Sequence, residues 1–184
     1  MNNILIKTLS LVSLIIFFNV SCISQVNPPV EEKAQVTVDA DGYSLVWQDL
    51  FDGTTLNSLN WTPEVNGNGG GNSELQYYRS ENISVGTEPV SGENCLIITA
   101  KKESYSGKTC TSGRLTTSNK MSFKHGKIVA RIKLPHTANG LWPAFWAMGQ
   151  DYSSVGWPKC GEIDILEMGN SKGISNGTQE KYFN

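Results

Sequence analysis

Apolar and polar residues alternate over short stretches of this chain, and the alternation breaks at clusters of Gly, Pro, Asn and Asp. The clearest case is Lys127 to Leu134. In an extended chain Ile128, Ala130, Ile132 and Leu134 fall on one side, and Lys127, Val129, Arg131 and Lys133 fall on the mostly polar other. A period of two is that of a strand with one buried face. Ser44 to Gln48 (closed by Asp52-Gly53), Leu96 to Lys101, Arg114 to Phe123, Leu141 to Met148 and Cys160 to Met168 read as further strands between turn signals. Pro63 to Ser73 reads as a loop, with Gly67, Gly69, Gly70 and Gly71 crowded together. No stretch keeps a helical period over a useful length. The expected class is all-β, with antiparallel sheets packed as a β-sandwich.

The N-terminus follows a different pattern. Met1 to Lys7 carries one side-chain cation, Thr8 to Phe18 is mostly apolar, and Asn19-Val20-Ser21-Cys22 follows. The apolar stretch is shorter than the roughly 20 residues that span a bilayer, and it has the proportions of a signal-peptide core. Ser21-Cys22 resembles a bacterial lipobox, in which the Cys thiol is lipidated, although Asn19 stands where an aliphatic residue is usual. An ordinary secretory signal is the alternative, and both imply export. Residues 1–22 are therefore expected to be a signal peptide with a lipobox-like Cys22. Residues 23–42, with Pro28-Pro29 and Glu31-Glu32-Lys33, are expected to be a linker. Residues 43–184 are expected to be the folded domain. A lipidated Cys22 would tether it to a membrane surface.

Length and charge narrow the classes. A chain of 184 residues suits one domain. Its net charge of −2 and lack of a basic patch give no electrostatic support to nucleic-acid binding. Four cysteines are present. With Cys22 lipidated, Cys95, Cys110 and Cys160 remain, an odd set. A Cys95–Cys110 pair is compatible with an oxidising compartment, and no spacing matches a zinc site.

The informative segment is Gly161-Glu162-Ile163-Asp164-Ile165-Leu166-Glu167-Met168. Glu162 and Asp164 share one face of a strand. Strict alternation would put Glu167 on the apolar face, where an unpaired carboxylate is costly. A β-bulge at Ile165-Leu166 shifts the phase and returns Glu167 to the side of Glu162 and Asp164. Two glutamates so placed could bring their carboxyls to about 5–6 Å, close to the separation a retaining glycosidase uses. Neighbouring carboxylates resist ionising together, so one can keep a proton as an acid while the other stays charged. Two other readings fit the spacing: oxygen ligands for a calcium ion, or a solvated polar face.

Five ordered segments carry a family resemblance. The acidic segment is similar to the longer, bulged signature of glycoside hydrolase family 16. Leu45-Val46-Trp47-Gln48-Asp49, Asn72-Ser73-Glu74-Leu75-Gln76-Tyr77-Tyr78, Ser112-Gly113-Arg114-Leu115-Thr116-Thr117 and Gly140-Leu141-Trp142-Pro143-Ala144-Phe145-Trp146 resemble other segments of the laminarinase type in that family. The resemblance implies a concanavalin A-like jelly roll and an endo-β-1,3-glucanase or mixed-linkage glucanase. It makes Glu162 the nucleophile and Glu167 the general acid/base, with Asp164 hydrogen-bonded to the nucleophile. Trp142, Trp146 and Trp157 would be sugar-stacking rings, with core packing as the ordinary alternative for a tryptophan. Asn72, Glu74 and Arg114 would be sugar contacts, with a surface salt bridge as the alternative for the last two. Trp47 and Trp61 read as structural, and His125 and His136 as surface or loop residues.

The same resemblance sets further expectations. Family domains continue well past the signature, so residues 43–184 are expected to be a partial catalytic domain, incomplete at the C-terminus. Many relatives hold a structural calcium. Leu50 stands where Glu is frequent, so no metal site is expected in this chain, although the full-length domain could carry calcium. No cofactor is required. The expected partner is a β-glucan polysaccharide and the expected state a monomer. Cleavage of a galactan such as agar or carrageenan, and glucan binding without catalysis, are the rival functions.

Overall fold

A computed structural model describes residues 38–135, 140–169 and 175–177. The chain divides into two units, Met1–Gln35 and Val36–Asn184, and only the second contains described residues. The signal segment, Cys22 and His136 lie outside them. No helix among the described residues is long and apolar enough to cross a membrane.

The described residues are strands and loops with very little helix. In chain order the strands are β1 (Thr62–Pro63), β2 (Tyr77–Tyr78), β3 (Ile83–Thr87), β4 (Asn94–Ile98), β5 (Thr111–Ser112), β6 (Leu115–Thr116), β7 (Ala144–Met148) and β8 (Glu162–Glu167). One helical turn, α1 (Tyr152–Val155), lies between β7 and β8. The strands pair two by two: β1 with β6, β2 with β5, β3 with β4 and β7 with β8. Three pairs are antiparallel. The β2–β5 pair is parallel, with Tyr77 opposite Thr111 and Tyr78 opposite Ser112. A parallel pair needs a long crossover, and the chain through the β3–β4 hairpin supplies it, a topology that alternation does not encode.

Polar groups hold the centre of this crossover. Asn82 and Thr111 are the buried polar residues, and Val85 and Met168 the buried apolar ones, among the described residues. Asn82 Nδ2 donates to the Thr99 carbonyl at 2.7 Å and to Thr111 Oγ1 at 3.0 Å. Thr111 Oγ1 donates to Glu103 at 2.6 Å. Glu103 in turn pairs with Arg79 at 3.3 Å, whose guanidinium lies 4.0 Å from the Tyr105 ring centroid. Each member satisfies a neighbour that would be expensive to bury alone. The network ties the residues after β2 and before β5 to the hairpin they flank.

Several expected strands are shorter or absent. Ser44 to Gln48 contributes one bridge, Val38 to Ser44. Beyond it, Asp49 accepts from Asn60 Nδ2 and Trp61 Nε1 at 3.0 and 2.9 Å, and the Trp47 and Trp61 rings meet edge to face at 5.9 Å. Side-chain bonds there take the place of a ladder. Of Arg114 to Phe123 only Leu115–Thr116 is strand, because Thr117 to Met121 closes a turn, with Asn119 at φ 59°. Lys127 to Leu134 forms no strand, and Ile128 and Ile132, expected to be buried, are exposed. A strand persists only within a ladder, and no described segment pairs with this one. Its polar positions do engage: Lys127 bonds Asp39 and Asp41 at 2.8 and 2.6 Å, Arg131 pairs with Glu93 and Lys133 with Glu88. Asp39 and Asp41, assigned above to the linker, are thereby tied to the domain. Cys95, Cys110 and Cys160 are free thiols, so the Cys95–Cys110 disulfide is not formed.

Candidate active site

The acidic segment forms β8, antiparallel to β7. Met148 lies opposite Glu162, Ala147 opposite Ile163 and Trp146 opposite Asp164. The register then shifts, with Phe145 opposite Leu166 and Ala144 opposite Glu167. Ile165 is thus the extra residue of a bulge. On β7, positions 144, 146 and 148 share one face, so their partners Glu167, Asp164 and Glu162 share that face as well. The bulge lets one strand present three carboxylates on the same side. Ile163 takes the opposite face and is 68% exposed.

Two indoles reach this face from the loops beside the strands. Trp142, just before β7, donates from Nε1 to Glu167 Oε1 at 3.0 Å. Trp157, in the β7–β8 connection, donates from Nε1 to Glu162 Oε2 at 2.7 Å. Both rings are largely exposed, 49% and 64% respectively. They are not core residues, and they present flat faces beside the acids. Cys160 packs its thiol 3.4 Å from the sulfur of Met148, the residue opposite Glu162.

A second group of side chains extends the face. The Arg114 guanidinium carbon lies 5.0 Å from the Trp146 ring centroid and 5.8 Å from that of Tyr78. Its Nε pairs with Glu64 at 3.2 Å, and the Glu64 N–H donates to the Arg114 carbonyl at 2.8 Å. The β1–β6 pairing therefore fixes both the backbone and the side chain of Arg114. Tyr78 donates its hydroxyl to Glu74 at 2.5 Å, and Gln76 Nε2 donates to Glu74 and to the Tyr78 hydroxyl at 2.8 and 2.7 Å. Gly70 makes room for this carboxylate: at φ 56°, a Cβ there would collide with the Glu74 side chain. Asn72 stands exposed in the same glycine turn, closing it with a backbone bond to Gly69 at 2.9 Å. The salt bridge of Arg114 thus goes to Glu64 rather than to Glu74.

Burial and the Glu74 carboxylate together push the Tyr78 phenol up to about 12. An unfolded tyrosine releases its proton near pH 10. The contribution of Tyr78 to stability is therefore complete below pH 10 and is lost as the pH rises through 10 to about 12. Titration of tyrosinate absorbance is expected to show a late step in this range that Tyr78→Phe lacks. A single step near pH 10 in both proteins would disprove it.

The sequence reading did not single out Glu64, Gln76 or Tyr78. Gln76 and Tyr78 continue the period of two from Glu74, which is a usable signal. Glu64 gives none, because its partner lies across a ladder of two residues. Among the described residues, no group of three or more His, Cys, Asp or Glu side chains is disposed to hold a metal.

A model of the XgeA-like catalytic GH16 domain matches residues 72–179. The chain belongs to glycoside hydrolase family 16. The matched span includes the loop of Glu74, Arg114, both strands of the carboxylate face and Trp142 and Trp157. A β-glucanase of Rhodothermus marinus is 42% identical over 146 residues, covering 76% of this chain and 49% of that protein. A family 16 enzyme of the Bacteroides ovatus mixed-linkage glucan locus, solved with a G4G4G3G product, superposes with a TM-score of 0.65 at 42% identity, covering 74% of this chain and 54% of that one. The laminarinase catalytic domain of Thermotoga petrophila superposes with a TM-score of 0.59 at 44% identity, covering 67% and 50%. This family 16 chain therefore has the fold of the jelly-roll enzymes and spans about half the length of these three proteins.

Proposed function

We propose that this family 16 chain carries the catalytic carboxylates of an endo-β-glucanase that cleaves β-1,3-linked or mixed-linkage glucan with retention of configuration. The observation that carries the reading is the bulge at Ile165, which returns Glu167 to the face of Glu162 and Asp164. Glu162 attacks the anomeric carbon while Glu167 protonates the departing oxygen. Water, deprotonated by Glu167, then releases the sugar from Glu162. The cycle calls for no cofactor. Trp142, Trp146 and Trp157 supply ring faces for pyranose stacking, and Arg114, Glu74 and Asn72 supply polar contacts for hydroxyls. The likeness to a mixed-linkage glucanase and to a laminarinase supports a glucan over a galactan.

The test is product release from laminarin, lichenan and agarose, with the anomer of the first product followed by NMR. Reducing ends from laminarin or lichenan, appearing first as the β-anomer, are expected. Release from agarose alone, or an α-anomer first, would overturn the reading.

The N-terminal pattern supports an enzyme exported to the cell envelope or beyond and tethered through a lipidated Cys22. Cys22→Ser is expected to move the protein from the membrane fraction to the soluble one. A protein already in the soluble fraction with Cys22 intact would leave an ordinary secretory signal as the better account.

A further inference from the structure

The two indole N–H groups beside the carboxylates divide the work of the site at the level of single oxygens. Trp157 Nε1 holds Glu162 Oε2 at 2.7 Å and Trp142 Nε1 holds Glu167 Oε1 at 3.0 Å. An indole N–H donates only and does not ionise in the working range. Each carboxyl group has two oxygens, and here one of each is engaged from a different loop. We propose that Trp157 and Trp142 are positioning residues that leave Oε1 of Glu162 as the attacking oxygen and Oε2 of Glu167 as the oxygen that carries the transferable proton. The proposal rests on the reading of Glu162 and Glu167 as nucleophile and acid/base, and it goes beyond ring stacking.

The physical argument differs for the two. The nucleophile reacts as an anion. A donor at one oxygen fixes the carboxylate plane, so that the free oxygen lines up with the anomeric carbon before reaction. The acid/base must hold a proton in the first step and accept one from water in the second. A donor cannot face a donor, so an N–H at Oε1 forces the proton of Glu167 onto Oε2. Both halves of the cycle then use the same oxygen: Oε2 gives its proton to the glycosidic oxygen and later takes one from water. Flanking residues fix both indoles. Trp142 lies against Gly169, where a Cβ would stand 3.7 Å from the ring, and the Met168 N–H bonds the Pro143 carbonyl at 3.1 Å. Trp157 sits between Gly156, whose N–H bonds Tyr152, and Cys160, whose N–H bonds Gly156.

Single replacement of each Trp by Phe in the full-length protein keeps a ring face and removes the N–H. Site-specific benzothienylalanine, which puts sulfur in place of N–H within the same shape, serves where a Phe variant does not fold. Two substrates separate the roles: laminarin, whose leaving group needs a proton, and a dinitrophenyl β-glucoside of laminaribiose, whose leaving group does not. Loss of the N–H at Trp157 is expected to lower kcat about 10- to 100-fold on both substrates with KM little changed. Loss at Trp142 is expected to lower kcat on laminarin by a similar factor, while the pre-steady-state burst of dinitrophenolate keeps most of its rate.

Equal losses for both variants on both substrates, losses confined to KM, or no loss would overturn the proposal. If Glu162→Gln and Glu167→Gln stay inactive alongside such a result, the hydrolase reading survives without it. If those two variants are active, the reading itself fails.

Discussion

Glu162→Gln is expected to lower β-glucan turnover by at least about 10³-fold on every substrate, because the amide cannot form the glycosyl–enzyme bond. Glu167→Gln is expected to lose about 10²–10⁴-fold on laminarin but to form the intermediate readily from a dinitrophenyl glycoside. External azide is expected to release that intermediate as a β-glycosyl azide, since it needs no base. The contrast tests which glutamate does which job, beyond the fact that both are needed. The roles would be exchanged if azide gave a β-azide with Glu162→Gln and an α-azide with Glu167→Gln. The Gln side chain keeps size and one carbonyl oxygen, so the indole contacts from Trp157 and Trp142 have an acceptor in both variants. Loss of activity can therefore be read as loss of carboxyl chemistry rather than of shape, provided the melting temperatures agree.

The acidic strand shows what was legible in the sequence and why. Alternation placed Glu162 and Asp164 together, and the cost of burying Glu167 on the apolar face was enough to locate a bulge at Ile165-Leu166. The ladder shows the register shift there. The β7–β8 pairing is local enough for the pattern of each strand to define it. The indole contacts were not legible. Trp142 and Trp157 reach the carboxylates from loops, and loop geometry follows from closure and turn chemistry rather than from periodicity. The parallel β2–β5 pair was missed for a related reason: direction depends on the crossover between the strands and not on the strands themselves. Lys127 to Leu134 illustrates the opposite failure. Its alternation is the cleanest in the chain, yet no described segment supplies the neighbour a ladder requires. Its cations instead pair with Asp39, Asp41, Glu88 and Glu93. Periodicity reports which face a strand would bury, and only a partner strand makes it one.

Gly149→Ala is expected to destabilise the protein by about 2–3 kcal/mol, in the upper part of the usual range for overpacking, and to lower activity more than the loss of folded protein explains. Gly149 follows β7 directly, and its N–H bonds the Gly161 carbonyl at 3.0 Å. A Cβ at this position would fall well inside contact distance of the Cys160 carbonyl. The obstacle is backbone, so no rotamer change relieves it. Either the strands part or the connection moves. Both responses act on the site: Cys160 is two residues from Glu162, Met148 lies opposite Glu162, and the same connection carries Trp157. Strand separation would also break the Gly149–Gly161 bond and uncover two backbone groups that pair with each other. Thermal melts would give the first effect, and kcat per folded molecule the second. Gly71→Ala is the control for a glycine with a left-handed backbone, because a Cβ there meets open space. It is expected to cost stability through backbone strain alone and to leave kcat per folded molecule unchanged. If Gly149→Ala behaved like this control, the close approach of β7 to the Cys160 carbonyl would not be what sets the position of Glu162.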